Sequence, residues 1–186
     1  KLGKSGPDIL RAFILSSEIA ARLGIGANGK LQSAGFHPTG IFGAFGCAVA
    51  SSILLDLTAD ETANALGIVI SLASGNMEFV NDGAWNKRIH PAWAAVAGLT
   101  SSFLSKNKFS GTKRPIEGTY GIFRTHLPNI DANFDAITRN IGEKWEFLET
   151  ALKPFPACHF NHAFAECALA LSKEHGFNTS EIKKVT

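Results

Sequence analysis

Three short segments place a base or a cation beside a break in the chain. They are "GFHPTG" with His37, "NKRIHP" with Lys87, Arg88 and His90, and "LKPFPACHFNH" with Lys153, His159 and His162. Each lies at or beside an expected helix start. Helix starts expose unpaired N–H groups and the positive end of the helix dipole, which favour carboxylates and other anions. If the three segments converge, they form an anion pocket with two or three Lys or Arg side chains and several imidazoles. That pocket suits a substrate with two or three carboxylates. A histidine there can serve as general base or acid, because its ordinary pKa is about 6.5. A lysine can clamp a carboxylate, or donate a proton once its pKa is lowered; nothing argues for a Schiff base.

The same residues have plainer readings. A lone histidine at a helix start is more often structural or solvated, and Lys87 with Arg88 is more often a wet surface pair. His159 and His162, spaced i,i+3, could hold a metal. No HExxH motif and no CxxC pair support this, so no metal is expected. A nucleophilic arrangement of Cys158 with His162 has no further support. The chain has no P-loop, no dinucleotide fingerprint, no G-x-S-x-G elbow and no cysteine trio for an iron–sulfur cluster.

The composition bounds the rest. The chain has 186 residues, 45% of them apolar, enough for a domain with a real core or a domain plus part of another. Its net charge of +2 argues against nucleic acid or an anionic membrane as partner. Cys47, Cys158 and Cys167 are an odd, sparse set, which suggests free thiols in a reducing compartment, with Cys47 a core filler. No apolar run reaches the roughly 18 residues of a membrane-crossing helix, and no signal-peptide pattern opens the chain. Both ends read as cut from something longer.

Most of the pattern is helical. "GPDILRAFILSSEIAARLG" predicts a helix over 7–23, with Pro7 in its first turn, Gly24 as its stop and a broad apolar face including Ile9, Leu10, Phe13, Ile14, Ile19 and Leu23. A second helix is expected over 39–55 with Thr39 as its cap. Thr58 and Glu61 form a capping box for a third, which Gly75 can end. Pro91 can open a helix over about 91–105. Residues 106–130 form a long irregular stretch, expected to be functional or to wrap a partner. A short helix is expected over 131–138, an amphipathic one over about 159–175, and a strand start over 181–186. Five or six helices and almost no strand suggest a compact helical domain.

One stripe needs its own reason. Gly40, Gly43 and Gly46 recur every three residues inside the second helix, and each interior glycine costs about 0.5–1 kcal/mol relative to alanine. Close approach of another helix, or of a ligand, would supply that reason.

"GFHPTG", "DGAWNKRIHP", "IEGTYGIF" and "LKPFPACHFNH", in this order, resemble the MmgE/PrpD family, which includes 2-methylcitrate dehydratase and cis-aconitate decarboxylase. The likeness spans essentially the whole chain. It implies an all-α fold: a large helical domain (1–152 here, in part), then the beginning of a small α+β lid domain (153–186, in part). It also implies a cofactor-free active site, a homodimer, and a cytoplasmic location, or the mitochondrial matrix in a eukaryote. By the same resemblance, His37, Lys87 and Lys153 are catalytic. Arg88, His159, His162 and Thr39 are substrate-binding. His90, Gly40, Gly43 and Gly46 are structural. His37, Lys87 and Lys153 are expected to line one cleft.

Family members are more than twice this long. Their N-terminal segment carries an acidic residue and another histidine of the site, in a motif this chain lacks. The expected function is that of a lyase acting on a small di- or tricarboxylate, most nearly a 2-methylcitrate dehydratase. A related decarboxylase or epimerase, or a catalytically silent truncated scaffold, are the alternatives. Loss of a catalytic acid or base costs about 10²–10⁴-fold in rate.

Overall fold

The computed structural model describes residues 2–185. The chain divides into two compact units, Lys1–Glu149 and Thr150–Thr186. The architecture is predominantly α-helical. Among the described residues the β content is one isolated antiparallel bridge, Phe36 with Asn76.

In the first unit, α1 spans Gly6–Gly26. It starts on a capping box: the Ser5 hydroxyl accepts from the Asp8 N–H and the Asp8 carboxylate accepts from the Ser5 N–H. The expected stop at Gly24 is corrected to Gly26. The Gly26 carbonyl accepts from the Asn133 N–H at 2.8 Å, and a Cβ on Gly26 would fall 2.6 Å from the Ile137 side chain. Docking of the 133–137 segment therefore holds the last turn that Gly24 alone would have released.

The apolar face expected on α1 also needs correction. Ile9, Leu10 and Phe13 are exposed, whereas Ala12, Glu18, Arg22 and Leu23 are buried. Glu18 and Arg22 form a buried i,i+4 ion pair at 2.5 Å. The Arg22 guanidinium also donates to the carbonyls of Ile137, Arg139 and Lys144. The Glu18 carboxylate accepts from the backbone N–H groups of Glu146 and Phe147. Burial pushes the Glu18 pKa up, but those two N–H groups and Arg22 outweigh it and hold the carboxyl below its ordinary range. This polar knot fastens residues 137–147 to α1.

Helix α2, Pro38–Leu54, is the central element, packed against α1, α3 (Ala59–Val69) and α5 (Asn86–Lys106). Ile41, Phe42, Ala44, Phe45 and Ala48 supply much of the core, joined by Leu23, Val69, Ala94, Ala97, Ile122 and Phe123. The α2–α5 contact is built from small residues. A Cβ on Gly98 would lie 2.5 Å from the Ala48 nitrogen. Buried Ser102 donates to the Ala48 carbonyl at 3.0 Å and lies 3.2 Å from the Ser52 hydroxyl. The larger apolar residues of α5, Trp93, Val96 and Phe103, are exposed.

The Thr58–Glu61 box opens α3 as expected, reinforced by Lys108 on Glu61. Helix α3 ends at Val69, ahead of the expected Gly75, and turns occupy the following residues. The short helix α4, Phe79–Asp82, closes on Gly83 in the left-handed conformation. Helix α5 begins at Asn86, five residues before the expected start at Pro91. Pro91 lies early in the helix and removes only the bond to the Lys87 carbonyl. The irregular stretch after α5 contains a short helix, α6, Ile122–His126. Helix α7, Phe134–Thr138, and a 3₁₀ turn at Glu146–Glu149 complete the unit.

In the second unit, the helix expected over 159–175 is a 3₁₀ turn, His159–Asn161, followed by α8, His162–His175. Gly176 in the left-handed conformation ends it. Its apolar residues Phe160, Phe164 and Leu171 are exposed. The expected strand over 181–186 is not formed among the described residues: Thr179–Glu181 is a 3₁₀ turn and 182–185 pair with no neighbouring strand. Thr186 lies outside the described residues.

Candidate functional site

His37 is positioned from both sides of the helix start that it occupies. Pro38 begins α2, where its missing N–H costs nothing, so His37 becomes the N-cap with extended backbone. Its side chain makes no capping bond. Thr39, the expected cap, is the second residue of the helix and is exposed. Residues 35–37 run antiparallel to 75–77: the His37 N–H donates to the Gly75 carbonyl at 3.0 Å and the Met77 N–H to the Gly35 carbonyl at 2.9 Å.

That pass is close enough to need glycine. A Cβ on Gly40 would sit 2.1 Å from the Ser74 carbonyl oxygen. Gly75 has φ +149° and lies against the His90 ring, its would-be Cβ 3.3 Å from Cγ. Farther along α2, Gly46 admits the backbone of α1 at Ser16, while Gly43 has only an ordinary contact with Ala94.

The His37 side chain meets His90 on α5. Their Nδ1 atoms are 2.7 Å apart, and both residues are 8% exposed. A bond between two imidazole nitrogens needs one N–H and one lone pair, so the two rings hold opposite roles at Nδ1. Phe79 packs edge-on against both, with ring centroids 5.3 Å from His37 and 5.7 Å from His90. Lys87, one turn before His90, holds its ammonium 5.6 Å from the Phe79 centroid and is exposed. Burial, then the positive charge available to His90 and Lys87, lowers the His37 pKa below its ordinary value, so its imidazole is neutral at pH 7. Arg88 stacks on exposed Trp85 at 4.5 Å.

The structure thus gathers His37, His90 and Lys87 around one aromatic ring. Phe79 was not singled out in the sequence, and Gly75 was read only as a helix stop. Neither carries a chemical group that would mark it as part of a site, and both matter here through the packing of residues distant in the chain.

Lys153, His159 and His162 belong to the second unit. The Lys153 ammonium donates to the Ala157 carbonyl at 3.1 Å, and His162 Nε2 lies 3.4 Å from the same oxygen. His162 is buried between Phe155 and His159, with centroids 5.4 and 5.1 Å away, and its Nδ1 has no hydrogen-bond partner. His159 and Lys153 are exposed. Among the described residues no three His, Cys, Asp or Glu side chains cluster as metal ligands, and no helix is long and apolar enough to cross a membrane. The cysteines are free; burial raises the Cys47 thiol pKa, and Cys158 and Cys167 are exposed.

The irregular stretch carries a recess of about 410 Å³ lined by Lys113, Arg114, Gly118 and Tyr120 among others. Neither histidine of the buried pair lines it.

The MmgE/PrpD N-terminal domain matches residues 1–135 of the chain. A cis-aconitate decarboxylase-like protein of Aspergillus oryzae is 32% identical over 155 residues, covering 80% of this chain and 32% of that protein. A cis-aconitate decarboxylase of Aspergillus terreus is 27% identical over 177 residues, covering 92% of this chain and 36% of that protein. The chain spans about a third of the length of these curated relatives. With a family match over well more than half its residues, the chain belongs to the MmgE/PrpD family.

Proposed function

We propose that this chain carries the proton-transfer part of a lyase site for a small di- or tricarboxylate. The observation that carries the reading is a buried histidine hydrogen-bonded to a second histidine, beside a solvent-facing lysine. In this reading His37 takes or gives the proton at a carbon next to a carboxylate. The Lys87 ammonium meets the carboxylate and the negative charge that develops beside it. Arg88 and Thr39, on the same unit, supply further polar contacts to anionic groups.

Two reactions share this chemistry. In a 2-methylcitrate-type dehydration, a base removes a C–H proton, the electron pair forms the double bond, and the hydroxyl leaves as water after protonation. In a cis-aconitate-type decarboxylation, the C–C bond electrons stay on carbon as CO₂ departs, and an acid then protonates that carbon. The names of the two Aspergillus relatives favour the second.

The test is proton NMR in D₂O with 2-methylcitrate, citrate and cis-aconitate. It is run on the 186-residue chain and on the longest natural reading frame that contains it. Turnover with deuterium at the reacting carbon, in either protein, supports the reading and names the substrate. Turnover only in the longer protein assigns the missing groups to residues outside this chain. No turnover and no exchange in either favours the catalytically silent scaffold.

A further inference from the structure

The His37–His90 bond has consequences beyond holding two rings in place. A buried base that accepts a proton becomes a cation, and His37 would do so beside Lys87, whose charge already opposes it. A second imidazole on its far nitrogen removes that difficulty. Neither Nε2 atom has a hydrogen-bond partner among the described residues and neither is sealed from solvent, so the outer nitrogens of the pair are open to substrate or water while the inner ones are bonded to each other.

Resting on the reading of His37 as a proton-transfer group, we propose that His90 is its positioning and relay partner, the two rings acting as one proton-conducting unit. His37 begins with a proton on Nδ1 and a lone pair on Nε2; His90 begins with a lone pair on Nδ1 and a proton on Nε2. A substrate proton arrives at His37 Nε2, the Nδ1 proton of His37 passes to Nδ1 of His90, and His90 releases its Nε2 proton to water. Each ring ends in its other tautomer, neither has gained charge, and the reverse sequence delivers a proton to the substrate. The 2.7 Å separation is short enough for the middle transfer. Phe79 against both rings, and Gly75 against His90, fix the ring planes and limit water at the inner bond. The charged or titratable groups acting on His37 are His90 and Lys87, both on α5; Phe79, packed on the other side, carries no charge.

A structural role needs only a hydrogen bond at this place, which a glutamine could supply. The relay needs a group that can exchange donor for acceptor. The deciding experiment is ¹⁵N NMR of the histidine-labelled 186-residue chain, with kinetics of His90→Gln in the longer reading frame. The relay predicts scalar coupling between the two Nδ1 nuclei and ¹⁵N shifts for both rings that lie between the protonated and unprotonated extremes. It also predicts that His90→Gln lowers kcat by about 10²-fold, with KM little changed and a displaced acid limb of the pH profile. Absence of the coupling, fixed tautomers in both rings, or an unchanged kcat and pH profile in His90→Gln would overturn it. If His37→Ala also keeps full activity, the reading of His37 fails, and the NMR result still decides whether the pair shares a proton.

Discussion

His37 and His90 are 53 residues apart in the chain, and their Nδ1 atoms meet at 2.7 Å. One lies at the N-cap of α2 and the other a turn and a half into α5, so their meeting depends on how those helices pack. The small residues at the helix crossing, Gly98 against Ala48 and Ser102 against the Ala48 carbonyl, allow the approach.

The pair makes stability depend on pH. The folded-state pKa of His37 lies below its ordinary value of 6.5, so the unfolded chain binds more protons in that range. The stabilisation is fully present above pH 6.5 and is lost as pH falls from there through the lowered folded-state pKa. Urea unfolding across pH 5–7.5 should show stability decreasing on the acid side, with a smaller decrease in His37→Gln. Parallel curves for the two proteins would contradict the assignment.

Gly40→Ala should destabilise the fold and Gly43→Ala should not. The first forces a methyl to 2.1 Å from the Ser74 carbonyl and should cost about 1–3 kcal/mol. It also disturbs the segment that holds the His37 N–H. The second adds a methyl 3.6 Å from Ala94 and should be neutral or stabilising by up to about 1 kcal/mol. Chemical denaturation of both variants distinguishes close approach from a general preference for glycine in this helix.

Arg22→Ala should destabilise the first unit by about 3–5 kcal/mol. It leaves the buried Glu18 carboxylate without its partner and three carbonyls, Ile137, Arg139 and Lys144, without a donor. Hydrogen exchange should show loss of protection concentrated in residues 137–147. Uniform loss over the whole unit would mean that the knot is not local.

Lys87→Ala should leave the fold nearly unchanged, because the side chain is exposed. Removing a charged hydrogen-bond donor to a carboxylate is worth about 1.5–3 kcal/mol. The loss should therefore appear as about 10–100-fold in kcat/KM. A circular-dichroism melt with no change, beside that kinetic loss, separates a substrate contact from a wet surface pair.

Features set by neighbours in sequence were legible. Thr58 and Glu61 face each other across one helical turn, and α3 begins there. Pro38 opens α2 for the reason any proline can, and α8 runs to His175 before a left-handed glycine. Several misreadings arose where long-range packing overrode a local signal, and others where a neighbouring residue took the expected role. Gly24 did not stop α1 because residues 133–137 dock on its last turn, and Pro91 did not open α5 because the helix can lose one bond near its start. Glu18 and Arg22 lie outside the apolar face expected for α1, yet they are buried, since beside each other they find partners more than a hundred residues away. His37, Lys87 and His90 stood out by type, but their gathering around Phe79 needed the fold.

The most direct test of the central claim is His37→Ala in the longest natural reading frame, with kcat and the urea midpoint measured on the same preparation. The account predicts a loss in kcat of about 10²–10⁴-fold with a modest shift in the midpoint. Loss of activity only in step with loss of folded protein, or full activity in the variant, would contradict it and leave His37 a core histidine.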